Sequence, residues 1–108
     1  MSLSIIIPCR DEEENISLTI KNLNKTISKK IKNYEIIIVN DFSEDNTLRV
    51  CKKLSSKKII IKNNTQKGLG GAINLGIKSS RKKYISIMMA DLSDSCFDLY
   101  IPVHRARL

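Results

Sequence analysis

The sequence predicts an α/β fold, a Rossmann-like parallel sheet of about four strands with helices on both faces. Four short runs rich in isoleucine recur along the chain, at residues 3–7, 34–39, 58–61 and 84–89. None of them alternates cleanly with polar residues, and continuous apolar runs of this length are typical of strands buried on both faces. Helical patterns separate the runs, which favours right-handed crossovers and a parallel sheet. We expect the strand order 3-2-1-4.

The clearest helical pattern follows the first strand. Its apolar residues recur every three or four positions, as on one face of a helix; they are Ile16, Ile20, Leu23, Ile27 and Ile31. Asp11 is predicted to cap the N-terminus of this helix, and the glutamates that follow suit the positive end of the helix dipole.

Two shorter helices are predicted over residues 46–55 and 70–80. Apolar spacing in the first of them turns three side chains toward the sheet: Leu48, Cys51 and Leu54. The same spacing in the second predicts three inward side chains: Ala72, Ile73 and Ile77.

The composition is that of a single globular domain. The 108 residues are 42% hydrophobic and 28% charged, which excludes a disordered chain. No apolar run approaches the roughly 18 residues of a transmembrane helix, and the short apolar N-terminus runs into acidic residues rather than a secretory cleavage site. The three cysteines lack a C-x-x-C pair. We therefore expect a cytoplasmic chain with reduced thiols.

The chain is basic, with 19 Lys and Arg against 11 Asp and Glu and a net charge of +8. Such an excess attracts phosphorylated ligands, although scattered lysines are also typical of an ordinary solvated surface. Aromatic residues make up only 5% of the chain, so a stacking platform for single-stranded nucleic acid is not supported. We predict no nucleic-acid partner.

Polar residues follow each predicted strand. Because ligands of open parallel sheets bind beyond the carboxyl ends of the strands, the four loops should meet at one edge. Together they bring several carboxylates, a lysine and a glycine-rich turn at residues 66–71. This set suits a phosphorylated ligand held through Mg²⁺ or Mn²⁺, with backbone N–H groups of the turn facing the anion. Each loop taken alone is equally typical of helix caps and turns.

These segments resemble the N-terminal half of family-2 glycosyltransferases with the GT-A fold, and most of all the dolichyl-phosphate and polyprenyl-phosphate sugar transferases. The resemblance rests on residues 5–16, 33–47, 68–72 and 90–93 and extends from about residue 3 to about residue 95. It divides the chain into a nucleotide-sugar-binding half at residues 1–95 and a divergent or truncated tail at residues 96–108.

The resemblance implies transfer of a sugar, with inversion, from a nucleotide-diphosphate sugar to an acceptor such as a polyprenyl phosphate. It also implies Mg²⁺ or Mn²⁺ as cofactor. Seven residues match substrate-binding positions of the family: Pro8, Arg10, Glu12, Val39, Asp41, Ala90 and Asp91. Asp91 is the metal ligand expected from the family's Asp-x-Asp motif, and Ser93 matches a position beside the metal.

The sequence departs from the family's pattern in five places. Met89 replaces the first Asp of Asp-x-Asp, and a thioether is a poor ligand for a hard metal. Asn40 replaces the first Asp after the second strand, which exchanges acceptors for donors. The other departures are Arg10 for Tyr, Asp11 for Asn and Phe42 for Gly.

Family members continue well beyond this sequence, and their later half supplies the acceptor site and the catalytic base. The resemblance therefore predicts a truncated copy that is inactive alone and membrane-associated in a full-length form. A non-catalytic module that binds nucleotide diphosphates and a fragment that acts only with a partner chain stay open as interpretations. The uncovered edge of half a sheet predicts self-association. A dinucleotide-binding fold is disfavoured because no glycine follows the first strand.

Overall fold

The structure, a computed structural model, describes residues 2–90. Its elements alternate along the chain in the order β1 (Ser2–Cys9), α1 (Ile16–Lys30), β2 (Asn33–Asn40), α2 (Thr47–Leu54), β3 (Ile59–Asn63), α3 (Leu69–Ser79) and β4 (Tyr84–Ile87). All neighbouring strands are parallel, in the order β3-β2-β1-β4. The predicted fold class and strand order are confirmed.

The sheet is covered on both faces because the chain crosses it in two directions. From β1 the chain steps outward through α1 and α2 to β3, and α3 then carries it back past two strands to β4. One face packs mainly isoleucines of β1, β2 and α1 with Cys51 of α2. The other face packs Ile6, Ile37, Val39 and Ile85 against α3.

Helix α3 lies close against β1 because Gly76 has no side chain. A Cβ atom added to Gly76 would stand 2.3 Å from Cγ2 of Ile6. The apolar residues expected to face inward are therefore only part of the contact. Ala72 and Gly76 are the buried residues of α3, Leu75 and Ile77 pack beside them, and Ile73 takes no part in that cluster.

The carboxyl ends of the strands meet at one edge, as predicted, and we call this the carboxyl edge. Backbone hydrogen bonds extend the ladder one residue past the strands. Asp41 N donates to Cys9 O and Asn64 N donates to Asn40 O, both at 2.9 Å. The first residues of the loops that follow β2 and β3 are therefore fixed by the sheet itself.

The predicted cap of the first helix is wrong. Helix α1 begins at Ile16, its N-cap position is Asn15, and its first turn contains no acidic residue. Asp11 instead adopts a left-handed backbone conformation, with φ at 53°. Its carboxylate accepts hydrogen bonds from the next loop, from Glu44 N at 2.7 Å and Asp45 N at 3.3 Å. A neighbouring loop in the tertiary structure has taken the acceptor that sequence spacing assigns to the helix.

The other helices and strands begin and end within two residues of the positions predicted from the sequence. Strand β3 continues to Asn63 and β4 ends at Ile87. In α2, Cys51 is buried as predicted and Leu54 packs against the same cluster, with Val50 there in place of Leu48. Cys9 and Cys51 are free thiols, as expected.

Among the described residues, no helix is long and apolar enough to cross a membrane. Strands β3 and β4 form the two outer edges of the four-stranded sheet. Self-association through such an edge stays a prediction. The predicted division of the chain after residue 95 lies outside the described residues.

Candidate functional site

The centre of the carboxyl edge is the carboxylate of Asp41. This residue is 6% exposed, and its Oδ1 accepts hydrogen bonds from Asn64 Nδ2 at 2.9 Å and Gly68 N at 3.0 Å. No described residue donates to Oδ2. Asp41 thus has one oxygen held by the protein and a second acceptor oxygen that no residue within 2–90 uses.

Asn64 organises the glycine-bearing loop beside this carboxylate, and sequence reasoning missed it. Its amide donates to Asp41 and to two loop carbonyls, Gln66 O at 2.6 Å and Gly68 O at 3.3 Å. Its Oδ1 accepts from Gln66 N at 3.2 Å. An asparagine directly after a strand and just before a glycine turn is the signal that would have found it.

The glycines of this loop serve its geometry. Gly68 has φ at 116°, a value that side-chain-bearing residues rarely adopt. A Cβ atom on Gly71 would lie 2.0 Å from Gln66 O, so the first turn of α3 fits against the loop only without a side chain there. No side chain caps the N-terminus of α3. No side-chain cap therefore occupies its first N–H groups, and their use by an anion stays a prediction.

The loops after β1 and β2 are tied to each other. Asp11 N donates to Ser43 Oγ at 3.0 Å, in return for the two backbone bonds that the Asp11 carboxylate accepts. Glu12 N donates to Thr47 Oγ1 at 2.8 Å. Phe42, between these contacts, has φ at 55°. The turn therefore keeps the left-handed geometry that a glycine would adopt.

Asp45 supports the start of α2. Its Oδ1 accepts from the backbone N of Thr47 at 2.9 Å and from the Thr47 hydroxyl, and its Oδ2 accepts from Glu13 N at 3.4 Å. The Thr47 hydroxyl, helped by these backbone donors, lowers the pKa of Asp45 below its usual value. This carboxylate is committed to local structure.

Asn40 lies at the carboxyl end of β2, between Cys9 and Asn63 in the register of the sheet. Its Nδ2 donates to Asn63 Oδ1 at 3.1 Å, and its own Oδ1 has no described partner. The replacement of Asp by Asn at this position therefore comes with an amide partner on the neighbouring strand. Cys9 is the register partner of Asn40 on β1. A hydrogen bond with the Cys51 thiol, together with burial, raises the pKa of the Cys9 thiol well above its ordinary value.

The predicted binding residues differ in their exposure to solvent. Val39 and Ala90 are buried in the two core clusters, and Pro8, paired with Val39 in the register, is buried as well. Arg10 is exposed and Glu12 is half-buried. The structure thus brings these residues and Asp41 to one edge. Any ligand contact of the three buried ones would have to be made by the backbone, and their binding roles stay predictions.

The predicted metal ligands lie outside the described residues. Asp91 and Ser93 both follow the last described position, Ala90. Within residues 2–90, no group of three or more His, Cys, Asp or Glu side chains is arranged to hold a metal ion. The described acidic residues thus do not fit a metal centre by themselves. Met89, which replaces the family's usual Asp, is 41% exposed.

The carboxyl edge is strongly acidic although the chain as a whole is basic. Of the eight acidic residues within 2–90, seven lie in the loops after β1 and β2, and the eighth is Glu35. An isolated anion would be repelled by this edge, whereas a cation or a cation-bound anion would be attracted.

Comparison with known proteins agrees with this geometry. The family model described as glycosyl transferase family 2 matches residues 4–95. A protein of Escherichia coli, the UDP-Glc:alpha-D-GlcNAc-diphosphoundecaprenol beta-1,3-glucosyltransferase WfaP, is 37% identical over 90 residues, which cover 82% of this chain and 35% of that protein. The dolichyl-phosphate beta-glucosyltransferase of Mus musculus is 34% identical over 99 residues, covering 82% of this chain and 30% of that enzyme. The resemblance drawn from the sequence motifs is confirmed.

A solved structure supports the fold. The mannosyltransferase PcManGT from Pyrobaculum calidifontis, in complex with GDP-Man and Mn²⁺, superposes with a TM-score of 0.73 over 82% of this chain and 27% of its own. The two sequences are 18% identical. The GT-A fold is thereby confirmed for residues 2–90. The chain spans about a third, or less, of the length of these relatives.

Proposed function

The chain belongs to glycosyl transferase family 2, and from that premise we propose that it forms the donor-binding part of a sugar transferase. The donor is a nucleotide-diphosphate sugar and the acceptor a polyprenyl phosphate, with inversion at the sugar carbon. Relatives that act on dolichyl phosphate or on a diphosphoundecaprenol-linked sugar support the choice of acceptor. The same relationship supports membrane association of a full-length form.

The observation that carries the proposal is the Asp41 carboxylate, which has one oxygen held by the protein and a second without a donor among residues 2–90. A nucleoside offers hydroxyl and N–H donors, and a carboxylate held in place by a side-chain amide and a backbone N–H is a strong acceptor for them. Asp41 stands directly after β2, where ligands of open parallel sheets bind. We propose that Arg10 and Glu12, on the adjoining loop, contact the same nucleoside. The uncapped start of α3 offers N–H groups to an anion on the other side of Asp41.

The acidic character of the edge favours a metal-bound donor over a free one. We propose that Asp91, with Ser93 beside it, binds Mg²⁺ or Mn²⁺ together with the phosphates of the donor, since Mg²⁺ sites typically combine one or two carboxylates with substrate phosphates. A metal there neutralises the charge that grows on the departing diphosphate. The acidic loops after β1 and β2 would then repel the diphosphate whenever the metal is missing.

Met89 favours a second interpretation, a module that binds nucleotide diphosphate without transferring sugar. A half-exposed thioether at the edge cannot replace the carboxylate that the family uses there. Because the chain is expected to be inactive alone, donor binding without turnover would select this interpretation only in a full-length form supplied with polyprenyl phosphate.

Calorimetric titration with UDP, GDP and CDP, each with and without Mn²⁺, tests the proposal. We expect one nucleotide to bind, and its affinity to rise when Mn²⁺ is present. In Asp91→Ala the gain from Mn²⁺ should vanish. Asp98→Ala is the matched control, because the resemblance assigns no role to that carboxylate.

Failure of all three nucleotides to bind a demonstrably folded chain would overturn the donor-site proposal. An unchanged gain from Mn²⁺ in Asp91→Ala would instead remove only the assignment of the metal ligand.

A further inference from the structure

We infer that Asn64 is a positioning residue for the nucleotide. It orients the Asp41 carboxylate and holds the loop at residues 64–68 beside it, so that Oδ2 of Asp41 is the oxygen presented to the ligand. The inference rests on the proposed function, because it assumes that Asp41 receives a nucleoside.

The contacts of Asn64 connect every part of this arrangement. The residue is 7% exposed, and its backbone N is tied to β2 through Asn40 O at 2.9 Å. From this fixed base, the side-chain amide reaches Asp41 Oδ1 at 2.9 Å. The same amide also donates to the carbonyls of Gln66 and Gly68. One buried residue therefore joins the end of β2 through its backbone, and the carboxylate and the loop through its side chain.

The carboxylate depends on Asn64 in two ways. Directly, Asn64 supplies one of the two donors that hold Oδ1. Indirectly, the other donor is Gly68 N, and Gly68 belongs to the loop that Asn64 closes. Without Asn64, the torsion about the Cβ–Cγ bond of Asp41 is broad, as terminal carboxylate torsions generally are. Ordering this group would then have to occur on binding, which weakens affinity.

A purely structural role makes a different prediction. The bond from Gln66 N to Asn64 Oδ1 is a local turn that serine can imitate with its hydroxyl. Serine is too short to replace the amide that reaches Asp41. Asn64→Ser therefore retains the turn at Gln66 and loses the amide bonds to Asp41, Gln66 O and Gly68 O, so a loss of affinity in this variant reports the amide rather than the turn.

The experiment is calorimetric titration of the full chain with UDP, GDP and CDP in Mn²⁺, using whichever nucleotide binds the wild type. Asn64→Ser and Asn64→Ala should each raise Kd up to about tenfold, the cost expected when a side chain must be ordered on binding. Asn22→Ala, an exposed substitution of the same kind on α1, is the matched control and should bind as the wild type does. Circular dichroism at the titration temperature keeps the comparison to folded variants, and Asn64→Ser serves if Asn64→Ala does not fold.

A double-mutant cycle with Asp41→Ala gives the readout that a structural role would not move. If Asn64 acts through Asp41, then adding Asn64→Ser to Asp41→Ala should raise Kd by less than twofold, roughly the limit of additivity for independent sites. A further tenfold loss in the double variant would show that the two residues act independently, and would overturn the inference.

The remaining outcomes separate this inference from the proposed function. Wild-type binding together with unchanged Kd in Asn64→Ser overturns the positioning role and leaves the donor site standing. Absence of nucleotide binding in the folded wild type overturns both.

Discussion

Strand β2 has a buried carboxylate at each end, on the same face of the sheet, and the two are used differently. Glu35, near the start of the strand, is 1% exposed. Its Oε2 accepts from Ser4 Oγ at 2.6 Å and from Arg81 N at 2.7 Å, and its Oε1 accepts from Arg81 Nε at 3.4 Å. Asp41, just past the end of the strand, has protein donors on Oδ1 only.

The difference shows how a structural carboxylate and a binding carboxylate are told apart. Both are buried, and both are bonded to segments distant in the sequence. At Glu35 the protein uses both oxygens to fasten the connection between α3 and β4 to the sheet. At Asp41 one oxygen is used to orient the group, and the second has no donor among residues 2–90. Burial alone would have ranked Glu35 as the better candidate site.

The largest effect should come from Glu35→Ala. Its removal leaves a buried hydroxyl and a backbone N–H without an acceptor, which should lower the free energy of unfolding by about 3 kcal/mol. Urea denaturation followed by circular dichroism measures it. Arg81→Ala is the control, because the guanidinium is 70% exposed and its ion pair should contribute less than about 1 kcal/mol. Equal losses in the two variants would contradict this account of Glu35.

Asp41→Asn should weaken nucleotide binding and leave stability nearly unchanged, whereas Glu35→Ala lowers stability. The Asn carbonyl can still accept the two bonds that Oδ1 receives, so the melting temperature should change little. The open position now presents an amide N–H₂ group to the donors of a nucleoside, and we expect Kd for the bound nucleotide to rise at least about tenfold. Calorimetric titration beside a thermal melt measures both quantities. A large fall in melting temperature with unchanged Kd would assign Asp41 to structure, as Glu35 is.

The smallest effect is expected at Asp45, an acidic residue of the carboxyl edge whose carboxylate accepts hydrogen bonds only within the protein. The pKa of Asp45 is lowered in the folded chain, so its stabilising effect is present above the unfolded value of 3.8 and is lost as pH falls through the folded value. Asp45→Ala should therefore melt below the wild type at pH 7.

The difference in melting temperature between the wild type and Asp45→Ala should shrink as the pH is lowered below 3.8. Glu44→Ala is the control, because Glu44 is exposed and its side chain has no hydrogen bond among the described residues. A pH-independent difference for Asp45→Ala would mean that the Thr47 contact does not depend on the carboxylate charge.

Much of the fold could be predicted because it depends on local pattern. The isoleucine runs determine the buried strands, and the spacing from Ile16 to Ile27 determines the buried face of α1. The position of the site followed from the parallel order, since parallel strands end at one edge. The predicted helix cap at Asp11 was wrong because the Asp11 carboxylate accepts hydrogen bonds from a loop 33 residues away instead of from the following helix. Spacing along the chain contains no information about such a contact.

The sequence by itself determined the fold class, the strand order and the family, because hydrophobic periodicity and motif spacing are properties of the chain. Only the tertiary structure decided which polar side chains are already hydrogen-bonded within the protein. Asp45 accepts from Glu13 N, Asn64 donates to one oxygen of Asp41, and Asn40 pairs with Asn63 across two strands. The physical reason is that a hydrogen bond depends on distance and direction, and folding brings together these donors and acceptors, which are 23 or more residues apart.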